Sequence, residues 1–230
     1  MNLFSLIFGS SLGKKFVMAI SGALLFGFVV AHMLGNLQVF LGPEQLNAYG
    51  HFLQTTPEIL WPARLGLLAM VVLHIWSAIR LSRENKAARP IAYAVQKTVK
   101  ASYASRTMLM SGLIIAAFVV YHLLHFTVLM QAVNLTGQNF SALLDVKGRH
   151  DVYRMMVIGF SHPAVALFYL IAVGLLCLHL SHGVSSLFQS LGLKNKFYGA
   201  CLDRFAKFAS LILFLGYAAI PSAILLGLVK

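Results

Sequence analysis

Apolar residues in this chain run in long, nearly unbroken stretches. They follow neither the alternation of a half-buried strand nor the three-and-four spacing of a soluble amphipathic helix. Five windows stand out, at 15–36, 62–81, 107–130, 162–184 and 205–228. A hydrocarbon core of about 30 Å takes about 20 such residues in a helix. Alternating ten-residue barrel segments are missing, and lipid penalises every unpaired backbone group, so the windows predict helices. Pro62 and Pro163 mark two starts, since a first-turn N–H has no helical partner to lose. The expected fold is all-α, a single membrane domain over 1–230 made of a five-helix transmembrane bundle. Lys14 and Lys15 ahead of the first window imitate a signal peptide, but no small-residue cleavage site follows, which predicts a retained helix.

Composition agrees. Of 230 residues, 59% are apolar and 10% charged, and the mean hydropathy is +0.81. Soluble domains carry about 25% charged residues, too many for this chain to match. A net charge of +12 raises nucleic acid as a partner. The positions of the charges answer it. Lys14, Lys15, Arg80, Arg83, Lys86, Arg89, Lys97, Lys100, Arg106, Lys194, Lys196, Arg204 and Lys207 fall on one side of the five crossings. Arg64, Lys147, Arg149, Arg154 and Lys230 fall on the other. The positive-inside rule then predicts a cytoplasmic N-terminus and an outer C-terminus. The expected setting is a bacterial cytoplasmic membrane, with anionic lipid or an acidic partner, rather than nucleic acid, on the basic surface. Of the outer segments, 149–160 reads as a short interfacial helix. Cys177 and Cys201 form no C-x-x-C or C-x-x-C-H pattern, which leaves covalent haem attachment and a redox dithiol unsupported.

Nine histidines are present, and depth sorts them. At about 1.5 Å per residue, His32 lies about 27 Å beyond Lys14 and His122 about 24 Å beyond Arg106, both counted from the inner face. From the outer face, His74 lies about 18 Å beyond Pro62 and His179 about 24 Å beyond Pro163. His74 and His179 therefore fall in the inner half, on the second and fourth helices. His32 and His122 fall in the outer half, on the first and third. Two imidazoles from facing helices suit the two axial positions of a buried haem, and that arrangement favours electron transfer over oxygen chemistry. Gly22, Gly27, Gly35, Gly66, Gly112 and Gly174 offer room for a flat ring, or serve ordinary helix packing. The competing reading makes each histidine a polar clasp or proton relay. His125 and His182 share a helical face with His122 and His179 but lie nearer the surface, as neighbours of the ligands or interfacial groups.

Four stretches carry a family resemblance: GKKFVMAISGALLFGFVVAHMLGNLQVF at 13–40, ARLGLLAMVVLHIWSAIRL at 63–81, SRTMLMSGLIIAAFVVYHLLHF at 105–126 and HLSHGVSSLFQSLGL at 179–193. The chain resembles the single-chain, five-helix, dihaem cytochrome b membrane-anchor subunit of succinate:quinone oxidoreductases and fumarate reductases. The last stretch is the most specific, with a histidine thirteen residues before Gly192. The resemblance implies two non-covalent b haems, one proximal on His74 and His179, one distal on His32 and His122. It also implies a flavoprotein subunit and an iron–sulfur subunit on the cytoplasmic face, and a membrane quinone, menaquinone by type. Flavin, Rossmann and iron–sulfur signatures are missing from the sequence, so dicarboxylate chemistry is expected on those other chains. Candidates for the haem propionates are Arg64, Ser77, Arg80 and Arg106, with lipid anchoring as the alternative role. Candidates for a quinone site are Glu44, His51, Glu58 and Trp61, whose carboxylates can move protons. Two other functions stay open: the haem b subunit of a hydrogenase or formate dehydrogenase, and a haem-free proton-relay or transport protein.

Overall fold

The computed structural model describes residues 2–88 and 102–230, so the topology residues Arg89, Lys97 and Lys100 lie outside the described residues. Among these residues the fold is all-helical, with one isolated antiparallel bridge, Leu144 to His150. A π-helical turn at Ser5–Gly9 precedes α1, Ser11–Leu37, which tightens into a 3-10 turn at Gln38–Leu41. Then come α2 (Pro43–Thr55), α3 (Pro57–Ala87), the short α4 (Tyr103–Arg106), α5 (Met108–Phe126), α6 (Val152–Ser161), α7 (Pro163–Ser190) and α8 (Gly199–Leu225). Helices α1, α3, α5, α7 and α8 are each long and apolar enough to cross a membrane. Leu24, Leu68, Val120, Ile171 and Leu215, one on each, are more than half exposed. Water would not tolerate so much apolar surface, whereas lipid accepts it. This is the exterior of a multi-pass membrane protein.

Hydropathy located these helices but not their ends, because ends are set by backbone groups. The second window begins at Pro57 rather than Pro62, with Pro57 in the first position and Glu58 in the first turn, where a carboxylate meets the positive helix end. Pro62 sits inside α3, close enough to its start that little of the hydrogen-bond ladder is lost. The third stops at Phe126 although the apolar run continues to Met130. Leu129 takes φ 59°, and the N–H groups of Val128 and Met130 reach back to the carbonyls of Leu123 and Leu124. The fourth runs on to Ser190, closed by Gly192 at φ 75°. The first starts earlier, at Ser11, and the fifth occupies Gly199–Leu225. Helix α2 was not anticipated: Gly42 at φ 94° turns the chain, and Pro43 starts the helix.

The chain divides into two compact units, and the division cuts across the long helices. The first comprises Met1–Phe28, Leu65–Gly112 and Leu178–Ser210. In it Lys14, only 2% exposed, pairs with Glu84 at 2.5 Å and donates to the Gly9 carbonyl, so its charge is matched on two sides. Asp203 accepts from Lys194 at 2.6 Å and from the Ser185 hydroxyl.

The second unit comprises Val29–Arg64, Leu113–Cys177 and Leu211–Lys230. Its core is apolar, around Val39, Leu46, Phe160, Val165, Tyr169 and Ile220. Asn47, on α2, is 1% exposed and works with both ends of its amide. It donates to Asp151 Oδ1 at 3.0 Å and accepts from the Tyr153 N–H at 2.9 Å, while Asp151 caps α6 through the Arg154 N–H. Beside it, Arg149 bridges Glu44 at 2.9 Å and Asp145 at 2.7 Å, and Lys147 reaches Glu44 at 2.7 Å.

This clamp is acid-sensitive. Hydrogen bonds from Lys147 and then Arg149 hold Glu44 below the usual carboxylate range. Burial pushes Asp145 up, but the backbone N–H and side chain of Arg149, with the Lys147 N–H, outweigh it and bring it down. A depressed folded pKa gives stability that is present above the unfolded value, about 4, and is lost as pH falls through the folded one. Amide protection across residues 143–152, measured relative to the intrinsic exchange rate at each pH, should therefore be high and constant above about pH 5 and fall in more acid solution. Arg149→Ala should lower it at neutral pH as well. Protection that is indifferent to both changes would mean the segment is held by something else.

Candidate functional site

His32, His74, His122 and His179 meet in twos, one pair inside each unit. In the first unit His74 of α3 and His179 of α7 have ring centroids 6.5 Å apart and planes at 65°. In the second, His32 of α1 and His122 of α5 are 5.7 Å apart with planes at 85°. Two metal–nitrogen bonds of about 2 Å in line, with about 1 Å more from each nitrogen to its ring centre, separate two imidazoles by about 6 Å. Both pairs stand close to that span. Among the described residues no cluster of three or more His, Cys, Asp or Glu forms. A bare zinc ion wants at least three protein donors and finds two here. The donor set instead fits a metal that brings its own equatorial ligands, and haem iron does so.

The surroundings of the pairs differ. His74 Nδ1 lies 3.2 Å from the Met18 carbonyl and 3.3 Å from the Ser21 hydroxyl, both on α1. His179 Nδ1 lies 3.1 Å from the Ser111 hydroxyl on α5. Each ring also lies against the glycine that follows its serine. A Cβ on Gly22 would stand 3.1 Å from His74 Cε1, and one on Gly112 would stand 3.4 Å from His179 Cε1. In the second unit aromatic rings take this place. The Tyr169 hydroxyl is 3.4 Å from His122 Nδ1, Phe118 and Phe126 flank His122, and Tyr217 lies 6.3 Å from His32. Tyr217 is itself tied to α1 by a 2.7 Å bond to the Val29 carbonyl.

His125 is fully buried, stacked on Phe126 at 3.9 Å, with Nδ1 3.0 Å from the same Tyr169 hydroxyl and Nε2 without a hydrogen-bond partner. It is a buried neighbour of His122. His182 is half-buried. Ser77 is also buried, with its one proton committed to the Leu73 carbonyl at 2.7 Å. Arg80 and Arg106 are exposed, and Arg64 is exposed over the Trp61 ring at 5.4 Å. Glu44, His51, Glu58 and Trp61 are exposed as well, and among the described residues no hydrogen bond or ion pair joins them to one another. Glu44 is occupied by the Lys147–Arg149 clamp.

Sequence reasoning named the four histidines and missed the groups that hold them, Ser21, Ser111 and Tyr169. A signal existed in the recurrence of Ser-Gly at 21–22 and 111–112, but a dipeptide is too short to register as a repeat. No family model, curated protein or solved structure matches the chain.

Alanine at the two glycines tests the seating. Any gain in helix propensity is shared by both variants, so their difference reports the ring contact. Gly22→Ala presses on a ring held by two hydrogen bonds and should lower the thermal midpoint by the equivalent of about 1–3 kcal/mol relative to Gly112→Ala, whose new contact is ordinary. The reverse order, in the same detergent, would show slack around His74.

Proposed function

We propose that this chain is the membrane-anchor and electron-transfer subunit of a succinate dehydrogenase or fumarate reductase complex. In this reading it binds two b haems, on His74 with His179 and on His32 with His122, and passes electrons between an iron–sulfur partner and a membrane quinone, menaquinone by type. The observation that carries it is the pairing: two imidazole pairs, one per unit, at 6.5 and 5.7 Å, with no third protein ligand among the described residues. Haem b, when bound, supplies a one-electron couple between ferric and ferrous iron. The protein's residues supply the rest. The paired rings bind and orient, the apolar bundle excludes water, and Arg64, Arg80 and Arg106 offer cations to the propionates. The family resemblance supports the flavoprotein and iron–sulfur partners, which perform the dicarboxylate chemistry. The distribution of lysine and arginine supports a cytoplasmic N-terminus and an outer C-terminus, and the family resemblance supports a bacterial inner membrane. Glu58, His51 and Trp61 remain the residues for a quinone pocket, with Glu44 less free for proton transfer because of its ion pairs.

A second reading, a haem-free proton relay, draws on the Tyr169 hydroxyl that stands between His122 and His125. The absorbance spectrum of the purified chain separates the two. Dithionite should develop the sharp bands of six-coordinate haem b, and a spectrum without them overturns the haem reading. His74→Ala and His179→Ala should each remove one haem, and His32→Ala and His122→Ala the other. Equal loss of both haems in all four variants would break the pairing. Co-purification with a flavoprotein separates succinate or fumarate chemistry from a hydrogenase or formate dehydrogenase.

A further inference from the structure

The two histidines of the first unit come from different helices, α3 and α7, and rest on different helices, α1 and α5, yet they are received in the same way. A serine hydroxyl stands at Nδ1, and the glycine that follows leaves room for the adjoining Cε1 edge. At His74 the partners fix the direction of these hydrogen bonds. A backbone carbonyl only accepts, so the 3.2 Å contact with Met18 requires a proton on His74 Nδ1. The Ser21 hydroxyl has one proton, and it goes to the α1 backbone, with the Val17 carbonyl 2.7 Å away. Toward His74 this oxygen therefore accepts. Ser111 repeats the arrangement, its oxygen 3.2 Å from the Met108 carbonyl and 3.1 Å from His179 Nδ1, and a hydroxyl that gives its one proton to that carbonyl is left to accept from His179. A neutral imidazole protonated at Nδ1 carries its lone pair on Nε2, the nitrogen left to a metal.

We propose that Ser21-Gly22 and Ser111-Gly112 are positioning seats. They hold His74 and His179 as Nδ1–H tautomers and, through the acceptor at Nδ1, raise the electron donation of Nε2 to the iron they bind. This rests on the haem reading above for its second half only, since the tautomers belong to the apoprotein too. Ser111 is the sharper of the two, because His179 has no carbonyl beside it to replace a lost hydroxyl, whereas His74 keeps Met18. Ferric iron draws more on ligand donation than ferrous iron, so removing the acceptor weakens ferric binding more. Loss of such a partner costs about 10- to 100-fold in metal affinity. A tenfold difference between the two oxidation states raises the potential by about 59 mV for one electron.

The test uses the full chain purified with its bound cofactors, together with Ser111→Ala, Ser21→Ala and Ser111→Thr. Nitrogen-15 spectra of labelled histidine should show His74 and His179 protonated at Nδ1 in the wild type. Redox titration of Ser111→Ala should show one haem raised by about that amount and the other unmoved, with Ser111→Thr restoring the wild-type potential. Ser21→Ala should move the same haem by less. Nε2 protonation of His179 in the wild type overturns the proposal, and so does a Ser111→Ala protein whose two potentials are unchanged or shift together. Where Ser111→Ala does not fold, the wild-type tautomer and the Ser111→Thr potential decide. A chain without haem overturns the proposed function, and the seats then stand or fall on the nitrogen-15 spectra alone.

Discussion

Hydrocarbon offers no hydrogen bonds, and a polar group taken into it unpaired costs several kcal/mol. Nearly everything particular about these helices follows from that penalty. It makes the backbone helical, drives the charged residues to the helix ends, and requires any imidazole carried into the interior to be met by something. His74 and His179 are met by serine hydroxyls, His122 and His125 by a phenol, and the histidines also face one another in pairs. Lys14 obeys the same rule at the start of α1, where a carboxylate and a carbonyl enclose its ammonium.

The two units answer the requirement with different chemistry. In the first, a small hydroxyl sits on the helix that carries it and bonds back to that helix's own carbonyls, so Ser21 and Ser111 are each held by their own helix. In the second, bulk takes over: Phe118, Phe126, Phe140, Phe160 and Tyr169 pack edge-on and stacked around His122 and His125. Aromatic edges and faces carry weak polarity of their own, which suits a half-polar ring better than aliphatic neighbours do.

Much of this was legible in the sequence because the relevant forces are summed over many residues. Twenty apolar side chains in a row announce a crossing whichever neighbours they meet, and counting 1.5 Å per residue put His74 with His179 and His32 with His122, the rings that meet. The short helix expected at 149–160 lies at Val152–Ser161, starting three residues later because Asp151 takes the N-cap position. What stayed hidden depends on single atoms or on distant partners. Leu129 ends α5 by a backbone torsion that hydropathy does not see. Glu44, offered as a quinone-site residue, is bound by Lys147 and Arg149, far away in the chain. Ser21 and Ser111 read as ordinary small helix residues until the rings beside them are in view.

The Tyr169 hydroxyl contacts Nδ1 of both His122 and His125, yet it owns a single hydrogen. Both imidazoles therefore cannot receive it at once. At least one must turn its own N–H toward the phenol oxygen, so the choice made by one ring restricts the other. Two side chains one helical turn apart thus obey an exclusion rule enforced by a third. The protonation pattern of this corner is a joint property of all three residues rather than a sum of independent ones.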